Sequence, residues 1–118
     1  MRKLVASLVL AVALGAASVA DAAPRVRFTS LTSPVYQGSN ATARVSTTKG
    51  ASCTITVTYK SGRSSAKGLT RKTASSSGAV SWTWKVGSNT TPGDWPVKVS
   101  CTRSGTGSAT KYLKVLRR

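Results

Sequence analysis

From Cys53 to Tyr59 the chain alternates without a break. Cys53, Ile55, Val57 and Tyr59 are apolar, and Thr54, Thr56 and Thr58 lie between them. A period of two puts the two sets on opposite faces of an extended segment, so this stretch predicts a half-buried strand. The same period returns three times. Ala41, Ala43 and Val45 alternate with Thr42, Arg44 and Ser46; Val80, Trp82, Trp84 and Val86 with Ser81, Thr83 and Lys85; Trp95, Val97, Val99 and Cys101 with Pro96, Lys98 and Ser100. Ala109, Leu113 and Val115 share one phase of a further strand, Ser108–Leu116. Arg25–Thr29, with Val26 and Phe28 in phase, predicts a short first strand, and Thr70–Ala74 a weak one. Turn residues punctuate these segments at Ser33-Pro34, Gln37–Asn40, Lys49-Gly50, Ser75–Gly78, Pro92-Gly93 and Ser104–Gly107. Lys60–Leu69 reads as a polar loop. About seven short antiparallel strands and almost no helical periodicity predict an all-β sandwich.

The two cysteines constrain how the strands meet. Cys53 opens its strand and Cys101 closes its own. Setting the two antiparallel with the cysteines opposed brings Ile55 to Val99, Val57 to Val97 and Tyr59 to Trp95, so every inward residue meets an inward residue. Opposed residues lie about 4.5–5.5 Å apart at Cα, within reach of a disulfide. The expectation is a Cys53–Cys101 bridge between neighbouring strands of one sheet, the third and sixth in order. No C-x-x-C spacing supports a redox-active pair.

The N-terminus has the pattern of an export signal. Arg2 and Lys3 precede an apolar run, Leu4–Leu14, and Ala20-Asp21-Ala22 supplies a small-x-small cleavage pattern. A cut after Ala22 divides the chain into a cleavable signal peptide, 1–22, and one β-sandwich domain, 23–118; a cut after Ala20 is the other option. The apolar run is short for a membrane span, and no second one follows, so no transmembrane segment is expected in the mature chain. The expected location is secreted or extracytoplasmic, associated with the cell surface. Such a compartment suits a disulfide.

Charge changes the picture most. The 118 residues carry 18 Lys+Arg against 2 Asp+Glu, with no His, for a net +16. The acids are Asp21 and Asp94, and Asp21 leaves with the leader. Removing Arg2, Lys3 and Asp21 leaves +15. One remaining carboxylate and no imidazole exclude paired-carboxylate catalysis, Ser-His-Asp and Cys-His nucleophiles, and carboxylate or histidine metal sites. No catalytic, metal or cofactor-binding residue is assigned, and a non-enzymatic protein is expected.

Cys53–Gly62, Lys72-Thr73, Gly78–Gly87 with its W-x-W-x-V-G run, and Thr91–Cys101 with T-P-G-x-W-P-x-x-V-x-C together resemble small immunoglobulin-like, fibronectin type III-like modules of bacterial secreted and cell-surface proteins. The likeness runs over roughly Ser33–Val115. It implies an immunoglobulin-like sandwich, often appended to other extracellular domains. It implies no particular activity, since this fold hosts many.

Two groups of residues could carry function. Trp82, Trp84 and Trp95 would form a sugar-stacking platform if exposed. Trp82 and Trp84 share the phase of their Val neighbours, which assigns them to the core, while Trp95 follows a Pro-Gly turn and is expected to be partly exposed. Lys60, Arg63, Lys67, Arg71 and Lys72 fall within 13 residues with no acid among them, and are the candidate polyanion-binding residues. The expected partners are anionic extracellular polymers or the cell surface: cell-wall polymer, lipopolysaccharide, acidic polysaccharide or DNA backbone. Sequence-specific nucleic-acid binding is not expected, because no recognition helix or zinc motif is visible. The rival is a structural accessory domain docking on a protein partner. A cationic membrane-active effector ranks below both, for want of an amphipathic helix.

Overall fold

A computed structural model describes Pro24–Arg118. The expected leader, residues 1–22, lies outside the described residues. Nine strands follow in order: β1 (Arg27–Leu31), β2 (Val35–Tyr36), β3 (Asn40–Ser46), β4 (Ser52–Tyr59), β5 (Gly62–Arg63), β6 (Lys72–Thr73), β7 (Ala79–Lys85), β8 (Gly93–Thr102) and β9 (Thr106–Leu116). No helix occurs among the described residues.

The strands form two sheets. One is β1-β3-β7; the other is β2-β9-β8-β4-β5, with β6 paired to β4 as well. The strongly alternating segments all form strands, but the expected count of about seven is two short. Val35-Tyr36 and Gly62-Arg63 are held by backbone pairing rather than by any side-chain period. Val35 pairs with Val115 and Thr58 with Arg63. Nor is every pairing antiparallel, since β2 runs parallel to β9. The first strand lies two residues beyond its expected Arg25–Thr29 span, and a bulge between Phe28 and Ser30 shifts its register against β3.

The register of β4 against β8 follows from the cysteines. Cys53 opposes Cys101, Ile55 opposes Val99 and Val57 opposes Val97. The disulfide joins these two neighbouring strands with a Cα–Cα distance of 4.0 Å. The expected Tyr59–Trp95 apposition does not form. Beyond Val57, β4 turns back on itself and Tyr59 pairs with Gly62 of β5, while Trp95 pairs only with Leu113 of β9.

Between the sheets lie the alternate apolar residues of every long strand. Ala41, Ala43 and Val45 of β3, Val80, Trp82 and Trp84 of β7, and Val57, Val97, Val99, Leu113 and Val115 of the wider sheet are buried together. Trp82 and Trp84 are 1% and 2% exposed, which settles them as core and removes a sugar platform at those positions. Each indole N–H is satisfied, as burial requires. Trp82 Nε1 donates to the Thr70 carbonyl at 2.7 Å and Trp84 Nε1 to the Tyr59 hydroxyl at 3.1 Å. Trp95 is half-buried, and its Nε1 donates to the Thr91 carbonyl at 2.7 Å.

The segment from Ser64 to Arg71 leaves the wider sheet, crosses past the free edge of β7 and rejoins the wider sheet at β6. Gly68 makes the crossing possible. Its φ of +97° is unfavourable for an L side chain, and a Cβ there would collide with the Thr83 carbonyl oxygen.

Candidate polyanion-binding face

The outward phase of the three long strands of the wider sheet is mostly polar. On β4 it consists of Ser52, Thr54, Thr56 and Thr58; on β8 of Asp94, Pro96, Lys98, Ser100 and Thr102; on β9 of Thr106, Ser108, Thr110, Tyr112 and Lys114. Strand pairing sets these side chains in rows, because opposed residues share a face. One row runs Ser52, Thr102, Thr106; the next Thr54, Ser100, Ser108; the next Thr56, Lys98, Thr110. A sheet with one wet face explains the threonine abundance: the β-branched chain suits the strand and the hydroxyl suits water.

The five basic residues within Lys60–Lys72 do not share one surface. Lys60 occupies the turn between β4 and β5. Arg63 opposes outward-facing Thr58, so it stands on the wet face. Ser52 pairs with Thr73 and Cys53 with Lys72, so Arg71 lies one step on, beside Thr54, and also stands on that face. Lys72 has the opposite phase. Its ammonium donates to the Ser81 carbonyl of β7 at 2.7 Å, tying the two sheets at their edge. Lys67 sits in the crossing segment, where it lines a shallow groove with Thr83, Trp84 and Lys85 of the other sheet.

Lys98 joins the face instead. It is exposed, and stands between Thr56 and Thr110. The alternation of β8 together with the cysteine register assigns it there, and the run of basic residues around Lys60–Lys72 draws attention away from it. Tyr112 is also on this face and is 60% exposed.

Acid is scarce on this surface. Asp94 is the only carboxylate side chain among the described residues, and it lies at the far end of β8 with Lys114 Nζ at 3.8 Å from its Oδ1. Both groups of this ion pair are more than half exposed, so solvent screens it heavily. Positive charge also covers the other sheet, where Arg27, Arg44 and Lys85 have the outward phase. No group of three or more His, Cys, Asp or Glu that could hold a metal ion occurs among the described residues.

Arg71 borders a concavity of about 250 Å³. Ser52 and Thr54 of β4 and Ser100 and Thr102 of β8 form its other walls. The Cys53–Cys101 pair lies between these two rows with its side chains buried on the opposite, core face, so the disulfide fastens the two strands directly behind the groove.

No protein-family model matches the chain, and no curated protein matches it. Among solved structures, the chain is similar to the titin domains Z1Z2 crystallised in complex with telethonin, with a TM-score of 0.50 and 21% sequence identity. The match covers 82% of this chain and 49% of that one, so the chain spans about half the length of the titin chain. The two packed sheets and this likeness define the fold as immunoglobulin-like. Among the described residues, no helix is long and apolar enough to cross a membrane.

Proposed function

We propose that this protein is an exported, non-enzymatic binding module that holds anionic extracellular polymers on the wet face of its wider sheet. The observation that supports the reading best is the content of that face. Arg63, Arg71 and Lys98 stand on it among hydroxyl groups, and its single acid lies at one end, beside Lys114. Lys114 apart, its cations form no ion pair, so an anionic chain laid across Arg63, Arg71 and Lys98 would stay clear of the one carboxylate at the far end. The exposed large hydrophobic side chains among the described residues are two tyrosines, Tyr36 and Tyr112, which gives an apolar partner little to grip. Export through the leader, a surface location and the affinity for cell-wall polymer, lipopolysaccharide, acidic polysaccharide or DNA backbone belong to this one reading. The rival is an accessory domain docked on a protein partner, as the titin domains are with telethonin.

Salt and charge reversal test it. Each phosphate neutralised on duplex DNA releases condensed counterions, so three to five contacts give a slope of about −2.7 to −4.5 in log K against log[salt]. The slope should be alike for unrelated DNA sequences, because backbone contacts carry no sequence information. Reversing Arg63, Arg71 and Lys98 to Glu should remove far more affinity than reversing Arg27, Arg44 and Lys85 on the opposite sheet. Both variants change net charge equally. Equal losses would leave bulk charge alone and retire the face. Absence of binding to every polyanion near 150 mM salt would overturn the reading in favour of the accessory domain.

A further inference from the structure

The wet face contains a concave feature whose lining is more particular than charge alone requires. Ser52 opposes Thr102 and Thr54 opposes Ser100. Opposed residues on antiparallel strands lie about 5 Å apart, and same-face neighbours along a strand about 7 Å apart. The four hydroxyl groups therefore mark the corners of a rectangle about 5 by 7 Å. Arg71, the residue just before β6, supplies one wall. Lys72, Arg103 and Arg118 each donate to a backbone carbonyl, whereas Arg71 makes no such bond among the described residues and keeps its planar fork of donors for a ligand.

We infer that the groove of Ser52, Thr54, Arg71, Ser100 and Thr102 is a phosphate subsite, and that the polymer it reads is a phosphodiester-linked polyol or sugar chain. The inference rests on the polyanion reading above and narrows it. A phosphodiester carries four oxygens in a tetrahedron. The two unbridged oxygens take the charge and suit the guanidinium fork. The bridging oxygens and the polyol hydroxyls beyond them suit Ser and Thr, which both donate and accept. A carboxylate has two oxygens in one plane and is met by the fork alone. Neighbouring rows extend the match. Lys98 lies two residues further along the strands from this groove, and Arg63 opposes Thr58, four residues along β4 from Thr54. Positive charge thus recurs about every 7 Å along the strand direction, a stagger that a linear chain of repeating phosphates can follow. Nucleic acid is a poorer fit. Base stacking needs aromatic faces beside the groove, and the exposed aromatic side chains of this sheet, Tyr112 and Tyr36, stand beyond the Lys98 row and outside the lining of the groove, while the indoles of Trp82 and Trp84 are buried.

The test compares three polyanions with the folded mature chain at 150 mM salt: poly(glycerol phosphate), polygalacturonate and duplex DNA. Wild type should bind poly(glycerol phosphate) at least tenfold more tightly than polygalacturonate of equal charge. Arg71→Gln should weaken the phosphate polymer about tenfold or more, the scale of a lost hydrogen bond to a charged group, and polygalacturonate less than threefold. Arg44→Gln removes the same charge from the other sheet and should lower all three ligands equally and slightly. Thr54→Val keeps shape and charge, and should weaken only the phosphate polymer, by severalfold. Amide shifts of wild-type protein titrated with the phosphate polymer should concentrate at Ser52–Thr54 and Ser100–Thr102, which keeps the test independent of any variant. If Arg71→Gln and Arg44→Gln behave alike, the subsite is overturned while general polyanion binding survives. Tighter binding of DNA than of poly(glycerol phosphate), lost with Arg71→Gln, overturns the polyol assignment. Binding to none of the three overturns the parent reading itself.

Discussion

Replacing Cys53 and Cys101 together by Ala perturbs the folded and the unfolded chain in separable ways. In the unfolded state the bridge closes a loop spanning 48 residues. The chain-entropy relation gives an entropy loss near 14 cal/mol/K for such a loop, or about 4 kcal/mol at 25 °C. In the folded state both cysteines are fully buried, at 0% exposure, so the two lost sulfurs leave a small void over Ala side chains. Void formation adds destabilisation, while relief of any native distortion subtracts it, and about 4 kcal/mol is the central expectation. A domain whose total stability is of the order of 5–15 kcal/mol would then be left marginal. Urea unfolding followed by Trp fluorescence measures this directly, since Trp82 and Trp84 report burial. The variant's midpoint should fall, and its m-value should rise because the unlinked chain exposes more surface when unfolded. Thiol labelling of unfolded, unreduced wild type should find no free cysteine. A double variant within about 1 kcal/mol of wild type, or labelling of both cysteines, would refute the argument.

Two further perturbations probe the core around Tyr59. Trp84→Ala removes a ring that is 2% exposed and strands the Tyr59 hydroxyl, so it should cost about 3–5 kcal/mol in the same urea assay; a loss below 1 kcal/mol would mean the ring is not packed as described. Burial raises the Tyr59 phenol above its ordinary value of about 10, and the hydrogen bond from Trp84 opposes this only in part. The folded state then holds its proton more tightly than the unfolded state, so this contribution is intact below about pH 10 and is lost as pH climbs through the folded value. Tyr59→Phe should flatten the fall in stability above pH 10, and identical profiles for the two proteins would contradict the assignment.

Legibility in the sequence followed the physics of each segment. Wherever one face is buried and the other wet, alternation fixes strand and phase, as in Cys53–Tyr59 and Val80–Lys85. Opposing Cys53 to Cys101 also assigns Ile55 to Val99, Thr54 to Ser100 and Ser52 to Thr102 by counting, so of the five groove residues only Arg71 is not legible in the sequence. Val35-Tyr36 and Gly62-Arg63 were not readable, because two-residue strands have no period and exist by pairing with a partner far away or across a turn. The same limit hid the sorting of the basic run. Lys72 pairs with Cys53 and turns to the Ser81 carbonyl, while its neighbour Arg71 turns outward, and nothing local in Lys60–Lys72 decides which does which. Lys98 is inconspicuous in the sequence for the converse reason. It is one cation isolated in a strand, and only the sheet brings it between Thr56 and Thr110.

On the proposed reading, a module holding a cell to a polymer would carry load, and the bridge decides how the chain would bear it. A pulling force entering before Cys53 and leaving after Cys101 passes through the sulfurs instead of the intervening backbone. The 48-residue separation they span cannot be drawn out, even after both sheets have come apart. At roughly 3.3–3.6 Å per extended residue, that withholds about 160–170 Å of reach. The protected length contains β5, β6, the crossing segment and β7, together with Arg63 and Arg71. Under tension the protein therefore behaves as a short tether with a fixed stop, and reduction of a single bond would release the slack.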